Sequence, residues 1–201
     1  MRSKILVWDL PTRLFHWLLV ISFTGAFLTA ESEYWRDWHV ALGYMVVALI
    51  GFRLIWGVIG SRYARFSSFA FAPSQVWIYL KSLLSRSPRH YVGHNPAGSW
   101  VIYGLLLLGV LSGASGYAIY NDIGGGWFED LHEGVSNMML GLVGVHVSGV
   151  LVSSLLHREN LVRSMIDGYK QGEPGQGIRR LQWLVGIGLI FGVIALWSKL
   201  I

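Results

Sequence analysis

Cysteine is absent from the chain, which excludes disulfides, thiolate metal sites, iron–sulfur clusters and thioether-anchored cofactors. Charge is scarce as well. Asp, Glu, Lys and Arg make up 13% of the 201 residues, against about 25% in an ordinary soluble domain. With 53% hydrophobic residues and a mean hydropathy of +0.49, the chain has too few polar groups to cover a water-facing surface, which argues against a soluble enzyme. What it has in quantity is Gly, at 25, and Trp, at 10. Both suit membrane helices, where Trp sits at the interfaces and Gly permits close packing. The expected class is an all-α integral membrane protein.

A bilayer-spanning helix needs about 20 mostly apolar residues. Five runs qualify: Leu14–Ala30, His39–Gly60, Ser99–Tyr120, Gly134–Leu156 and Leu181–Trp197. Pro11 lies where the first helix can begin earlier. The N-terminal stretch lacks the apolar core and small-residue cleavage site of a signal peptide, so the first helix is expected to remain as an anchor. Counting Lys and Arg on alternate sides gives 14 against 2, with only Arg36 and Lys199 on the poorer side. That bias predicts a cytoplasmic N-terminus and, with five spans, a C-terminus on the opposite side. The opposite loops are acidic, with Glu31, Glu33, Asp37, Asp122, Glu129 and Asp130. The net charge of +5 therefore reflects topology and gives no support to nucleic-acid binding.

The longest cytoplasmic loop, residues 61–98, contains an amphipathic stretch at Ser74–Leu84 that reads as a short helix on the membrane surface. The run Gly172-Glu173-Pro174-Gly175-Gln176-Gly177 is a breaker ahead of the fifth span. No internal repeat and no low-complexity tract is visible.

Seven His are present, and four belong to the spans. His16 lies near the cytoplasmic start of the first. His39 and His132 stand at the external starts of the second and fourth, and His146 follows His132 by 14 residues. Fourteen helical residues return to within about 40° of the starting direction and advance about 21 Å. His132 and His146 therefore share one face, one near each membrane surface. Arg53 follows His39 at the same interval in a helix of the same direction. By depth the histidines sort into an outer pair, His39 with His132, and an inner pair, His16 with His146. Matching the inner depths requires the fourth helix to continue about two turns beyond the membrane. His90, His94 and His157 are read as solvated loop residues.

Polar groups in a span are costly and face the interior with a partner. Zinc sites want three or four protein ligands, whereas each pair offers two imidazoles. Bis-imidazole ligation of a haem fits, since the porphyrin supplies the other four donors and its faces suit a bundle interior. Glycines 43, 134, 141, 144 and 149 would leave room for two macrocycles. Arg53 is placed to meet a propionate of the inner haem, or alternatively to snorkel to the interface. Arg13, Arg53, His94 and Ser99 are the polar residues near the inner level for a quinone, without a diagnostic spacing. Ser112 and Ser115 are expected to bond their own backbone, and Gly109, Gly113 and Gly116 to mark a close helix contact.

The runs Arg13-Leu14-Phe15-His16-Trp17, His39-Val40-Ala41-Leu42-Gly43-Tyr44 with Arg53-Leu54, and Leu131-His132-Glu133 with Gly144-Val145-His146 resemble the bacterial cytochrome b561 family. That family includes the b-type subunits of nickel–iron hydrogenases. The resemblance covers roughly residues 8–170. It implies a four-helix di-haem core with two non-covalent b haems, ligated by His16 with His146 and by His39 with His132. On this basis residues 1–170 form the di-haem core, and 171–201 a linker with an added C-terminal helix for packing or partner contact. The implied function is electron transfer between the quinone pool and a periplasmic redox protein, such as a c-type cytochrome or hydrogenase module. Alternatives are a self-contained superoxide:quinone oxidoreductase and a haem-free membrane anchor. Expected partners are membrane lipid, quinone or quinol and the periplasmic protein, and a homodimer is compatible with the pattern.

Overall fold

The computed structural model describes residues 3–85 and 88–201; Arg2 and Arg86, two of the cations counted for topology, lie outside the described residues. Helix α1 runs over Leu10–Thr29, α2 over Arg36–Ile59, α3 over Pro73–Leu83, α4 over Pro96–Tyr120, α5 over Trp127–His157, α6 over Leu161–Asp167 and α7 over Trp183–Leu200. Five of these, α1, α2, α4, α5 and α7, are long and apolar enough to cross a membrane, in agreement with the five runs. The chain is a multi-pass, all-α membrane bundle. The amphipathic stretch is helix α3, as expected. At 31 residues, α5 spans about 46 Å against a hydrocarbon core of about 30 Å. Its last turns stand among loop residues: Tyr79 of α3 lies 3.4 Å from Ser153, and His157 meets His90 edge to face.

Local chemistry sets the helix starts. Asp9 caps α1 by accepting from the Thr12 amide at 2.8 Å, with Pro11 in the first turn. Asn95 caps α4 through the Gly98 amide at 2.7 Å, and Asn160 caps α6 through the Arg163 amide at 2.8 Å. The cap of α1 is also a tertiary anchor, because fully buried Asp9 accepts from Trp56 Nε1 of α2 at 3.2 Å.

A small sheet is the element that the sequence did not announce. Residues Ser3–Leu6 form strand β1, which pairs antiparallel with β2, Tyr169–Gly172, with Ser3 opposite Gly172 and Leu6 opposite Tyr169. Period-2 alternation over four residues is too short to read. Tertiary burial decides it: Ile5, Val7 and Trp8 form a buried cluster under Tyr63, Val92 and Met165. The Val7 and Trp8 amides donate to the Gly168 carbonyl, and Leu10 donates to Leu181. The starts of α1, α4 and α7 and the ends of α2 and α5 thus gather on one face, called the N-terminal face below. The far face is marked by contacts of Tyr44 with Tyr120 and of Trp38 with Trp197.

The spanning helices pack unevenly. Helix α1 lies along α2, α5 along α4, and α2 crosses α4. A Cβ at Gly109 or Gly113 would collide with Ile50 or Val47 of α2, so these glycines do mark a close helix contact. Helix α7 packs on α1 and α2, setting Leu189, Val193 and Leu196 against Phe15, Met45 and Leu49. Among the described residues, no extended packing joins α5 to α1 or α2. The helices bearing the paired histidines stand apart.

Candidate functional site

Of the histidines in the spans, His39 and His132 are brought face to face in the structure. At the far face the rings of His39 and His132 lie with centres 6.1 Å apart and planes at 84°. The His39 Nδ1 contacts the Ala26 carbonyl at 2.8 Å, and the His132 Nδ1 contacts the Ser112 carbonyl at 2.9 Å. A carbonyl only accepts, so each Nδ1 carries the proton and a neutral ring keeps its lone pair on Nε2. A carbonyl partner of this kind fixes both tautomer and ring plane in metal-bound histidines. The ring separation also matches a metal held about 2 Å from each of two imidazole nitrogens, which sets ring centres about 6 Å apart.

Helix α4 is shaped around His132. Ser115 Oγ lies 3.2 Å from the His132 Nδ1 while donating to the Leu111 carbonyl at 2.8 Å. A Cβ at Gly116 would fall 3.0 Å from the His132 Cε1. Ser115 therefore bonds its own backbone, as expected, but it also touches the ring. Ser112 departs from the expectation, because its hydroxyl meets Ser136 at 2.9 Å and its carbonyl holds His132. Gly116 makes room for an imidazole ring.

The other pair is organised differently. His16 and His146 are near enough to interact electrostatically, yet the His16 Nδ1 is buried without a hydrogen-bond partner among the described residues. Arg53 does not snorkel. It is 3% exposed, its guanidinium lies over the rings of Phe66 at 4.8 Å and Phe69 at 5.9 Å, and its Nη1 has no partner among the described residues. His94 is a correction to the sequence reading: it packs on Phe69 at 4.3 Å and Trp8 at 4.7 Å, with its Nδ1 buried and unpartnered. Burial and the nearby charges of Arg53, Lys170 and His146 hold its pKa down at about 3. His90 is not free in solvent either, since it bonds Glu159 at 3.2 Å, and His157 packs against it edge to face. Loop position alone suggested solvation. No local sequence signal flags His94, because its burial comes from Trp8 and Phe69, both distant in the chain.

Among the described residues, no three His, Cys, Asp or Glu side chains gather to hold an ion by themselves. A group that brings its own in-plane donors suits two facing imidazoles. The glycines bear on its size. A Cβ at Gly43, Gly134, Gly141, Gly144 or Gly149 would meet no atom within 4 Å, so the helix faces beside the histidines would admit a flat macrocycle. Donor set, ring spacing, orphaned polar atoms and glycine faces all fit haem.

Comparison with known proteins agrees. The profile of the family Prokaryotic cytochrome b561 matches residues 7–168. Similar proteins include the probable Ni/Fe-hydrogenase B-type cytochrome subunit of Rhizobium leguminosarum bv. viciae, 24% identical over 83% of this chain and 89% of the relative. The probable Ni/Fe-hydrogenase 1 B-type cytochrome subunit of Escherichia coli K12 is 23% identical over 85% and 92%. The corresponding protein of Cupriavidus necator is 26% identical over 82% and 86%. No solved structure matches the chain. The chain belongs to the prokaryotic cytochrome b561 family, whose members carry electrons in the membrane by means of b-type haem.

Proposed function

We propose that this protein passes electrons across the bacterial inner membrane through two b haems, between the quinone pool on one side and a periplasmic redox protein on the other. His39 and His132 would hold one haem at the far, periplasmic face. His16 and His146 would hold the other at the cytoplasmic, N-terminal face, with Arg53 on a propionate. Residues 1–170 form this di-haem core, and residues 171–201 add a linker and a helix. The observation that carries the reading is the far-face pair, two rings 6.1 Å apart with each Nδ1 bound to a carbonyl of a neighbouring helix.

Bound in these sites, each haem would supply a one-electron couple with both axial positions taken, which favours transfer over ligand activation. The chain's own contribution is orientation and electrostatics. Ala26 and Ser112 fix the ring planes of the far-face histidines. Arg53 supplies a buried positive charge at the other face, which fully buried Asp9 is near enough to balance in part and a propionate would balance further. The aromatic set of Phe66, Phe69, Trp8 and Tyr103 screens that end from water.

A protein partner is favoured over self-contained chemistry because the relatives are named as subunits. The far face suits a basic surface, since Glu31, Glu33, Asp37, Asp122, Glu129 and Asp130 are all exposed there. Purification from native membranes under mild detergent is expected to recover a redox protein with the chain. Quinone reduction by the isolated chain at physiological rates, without any such protein, would instead favour the self-contained oxidoreductase.

A further inference from the structure

The buried polar atoms without a hydrogen-bond partner are concentrated. Among the described residues they are Thr12 Oγ1, Arg13 Nε, His16 Nδ1, Arg53 Nη1, Ser61 Oγ and His94 Nδ1. Every one belongs to the N-terminal-face end of the bundle: three on the first two turns of α1, one on α2, one just past α2 and one just before α4. The far-face pair contributes none. The set also has one chemical character. Each residue can donate a hydrogen bond, two are cationic and none is a carboxylate. A buried donor left unpaired is costly, more so when charged; buried Asp9 already faces Arg53, and the donors it leaves unpaired mark the seat of a further acceptor.

Within this cluster Arg53 and His94 are joined by Phe69, which stacks on His94 at 4.3 Å and lies 5.9 Å below the Arg53 guanidinium. The charges of Arg53 and His146 both reach His94. Thr12 stands one helical turn from His16 on the same face of α1. We infer that His94 joins Arg53 and Thr12 in a three-sided cradle for a carboxylate at the edge of the group held between His16 and His146. His94 is then a positioning residue, distinct from the axial ligands. Its low pKa keeps it neutral at pH 7, with one ring N–H available to donate. The inference rests on the di-haem reading and assigns to its cytoplasmic-side site a residue from a loop.

The test is a potentiometric titration of both haems on the full-length, detergent-purified protein, in wild type and in His94→Phe, His94→Gln and Arg53→Leu. The phenylalanine keeps the stack on Trp8 and Phe69 but removes the donor, whereas the glutamine retains one. In His94→Phe both haems are expected to remain, with one midpoint potential lowered and the other unmoved. The unneutralised carboxylate favours the oxidised form, and a tenfold change in the reduced-to-oxidised ratio corresponds to about 59 mV for a one-electron couple, the upper end of the shift expected. Glutamine restores most of the shift, and Arg53→Leu lowers the same potential further. Comparison with His16→Ala identifies which potential belongs to that site. If His94→Phe moves neither potential, the cradle is wrong. If both His94 variants lose a haem together with its low-spin bis-imidazole signal, His94 is a ligand and the cradle is equally wrong. A wild-type protein without haem would overturn the di-haem reading itself. Should His94→Phe fail to fold, Thr12→Val removes another donor of the cradle and is expected to lower the same potential.

Discussion

The two histidine pairs lie at opposite ends of the same bundle, and the protein treats them differently. At the far face each ring is held by a backbone carbonyl of an adjacent helix, and α4 gives up a side chain at Gly116 to seat His132. At the N-terminal face the His16 Nδ1, the Arg53 Nη1 and the His94 Nδ1 are buried with no hydrogen-bond partner among the described residues. The far pair is held by the fold itself, whereas the near pair stands among buried polar atoms that the fold leaves unpaired among the described residues. The surroundings follow suit. The far end is simple helix termini, while the near end is capped by β1, β2, α3, α6 and the loop around His94.

The largest expected effect breaks the comparison at its centre. His39→Ala or His132→Ala should remove one of two haems completely, and His16→Ala or His146→Ala the other, as read by haem per polypeptide. Gly116→Leu tests whether the far site is set by helix geometry. A side chain there meets the His132 ring, so the same haem should be lost while both histidines remain. The near site should tolerate this change and respond to its own cap. Trp8→Ala removes a buried aromatic side chain that stacks on His94 and donates to Ser164. It should cost about 3–5 kcal/mol and release the near-face haem at a lower temperature than the far-face one, measured by absorbance during melting.

Finer changes sharpen the contrast. Ser115→Ala removes one of two contacts to the His132 Nδ1 and should weaken far-face haem retention by about tenfold, the lower end of the effect for such supporting groups. The smallest effect concerns pH. Burial pushes the Glu159 carboxyl up, but bonds from His90 and the Gln171 amide and the charge of Lys170 outweigh it and hold the group below its usual value of 4.5. A carboxylate with a depressed folded pKa stabilises above its unfolded pKa, and that stability is lost as pH falls through the folded value. Melting temperature should therefore drop below about pH 4.5 in wild type and drop less in Glu159→Gln.

Much of the membrane bundle was legible in the sequence because hydrophobic length and a 14-residue spacing are properties of single helices. The five spans, the overlong α5 and the depth matching of His39 with His132 all follow from that arithmetic. The β1–β2 pair was not legible, because four residues carry too little pattern and their pairing joins positions nearly the whole chain apart. Nor were the groups that hold the rings: Ala26 and Ser112 act through carbonyls, which every residue has. His94 was misread for a related reason, since its loop folds back under Trp8 and Phe69 and only tertiary contacts reveal it. Arg53 offered two readings from sequence, and burial against Phe66 and Phe69 decides against the interface.

One measurement bears on the central claim most directly: haem per polypeptide on the detergent-purified protein by pyridine haemochrome, with the reduced-minus-oxidised spectrum, repeated on His39→Ala and His16→Ala. Two b haems in wild type and one in each variant is the expected result. A single haem in wild type, or two that survive both substitutions, would contradict the pairing of His39 with His132 and of His16 with His146.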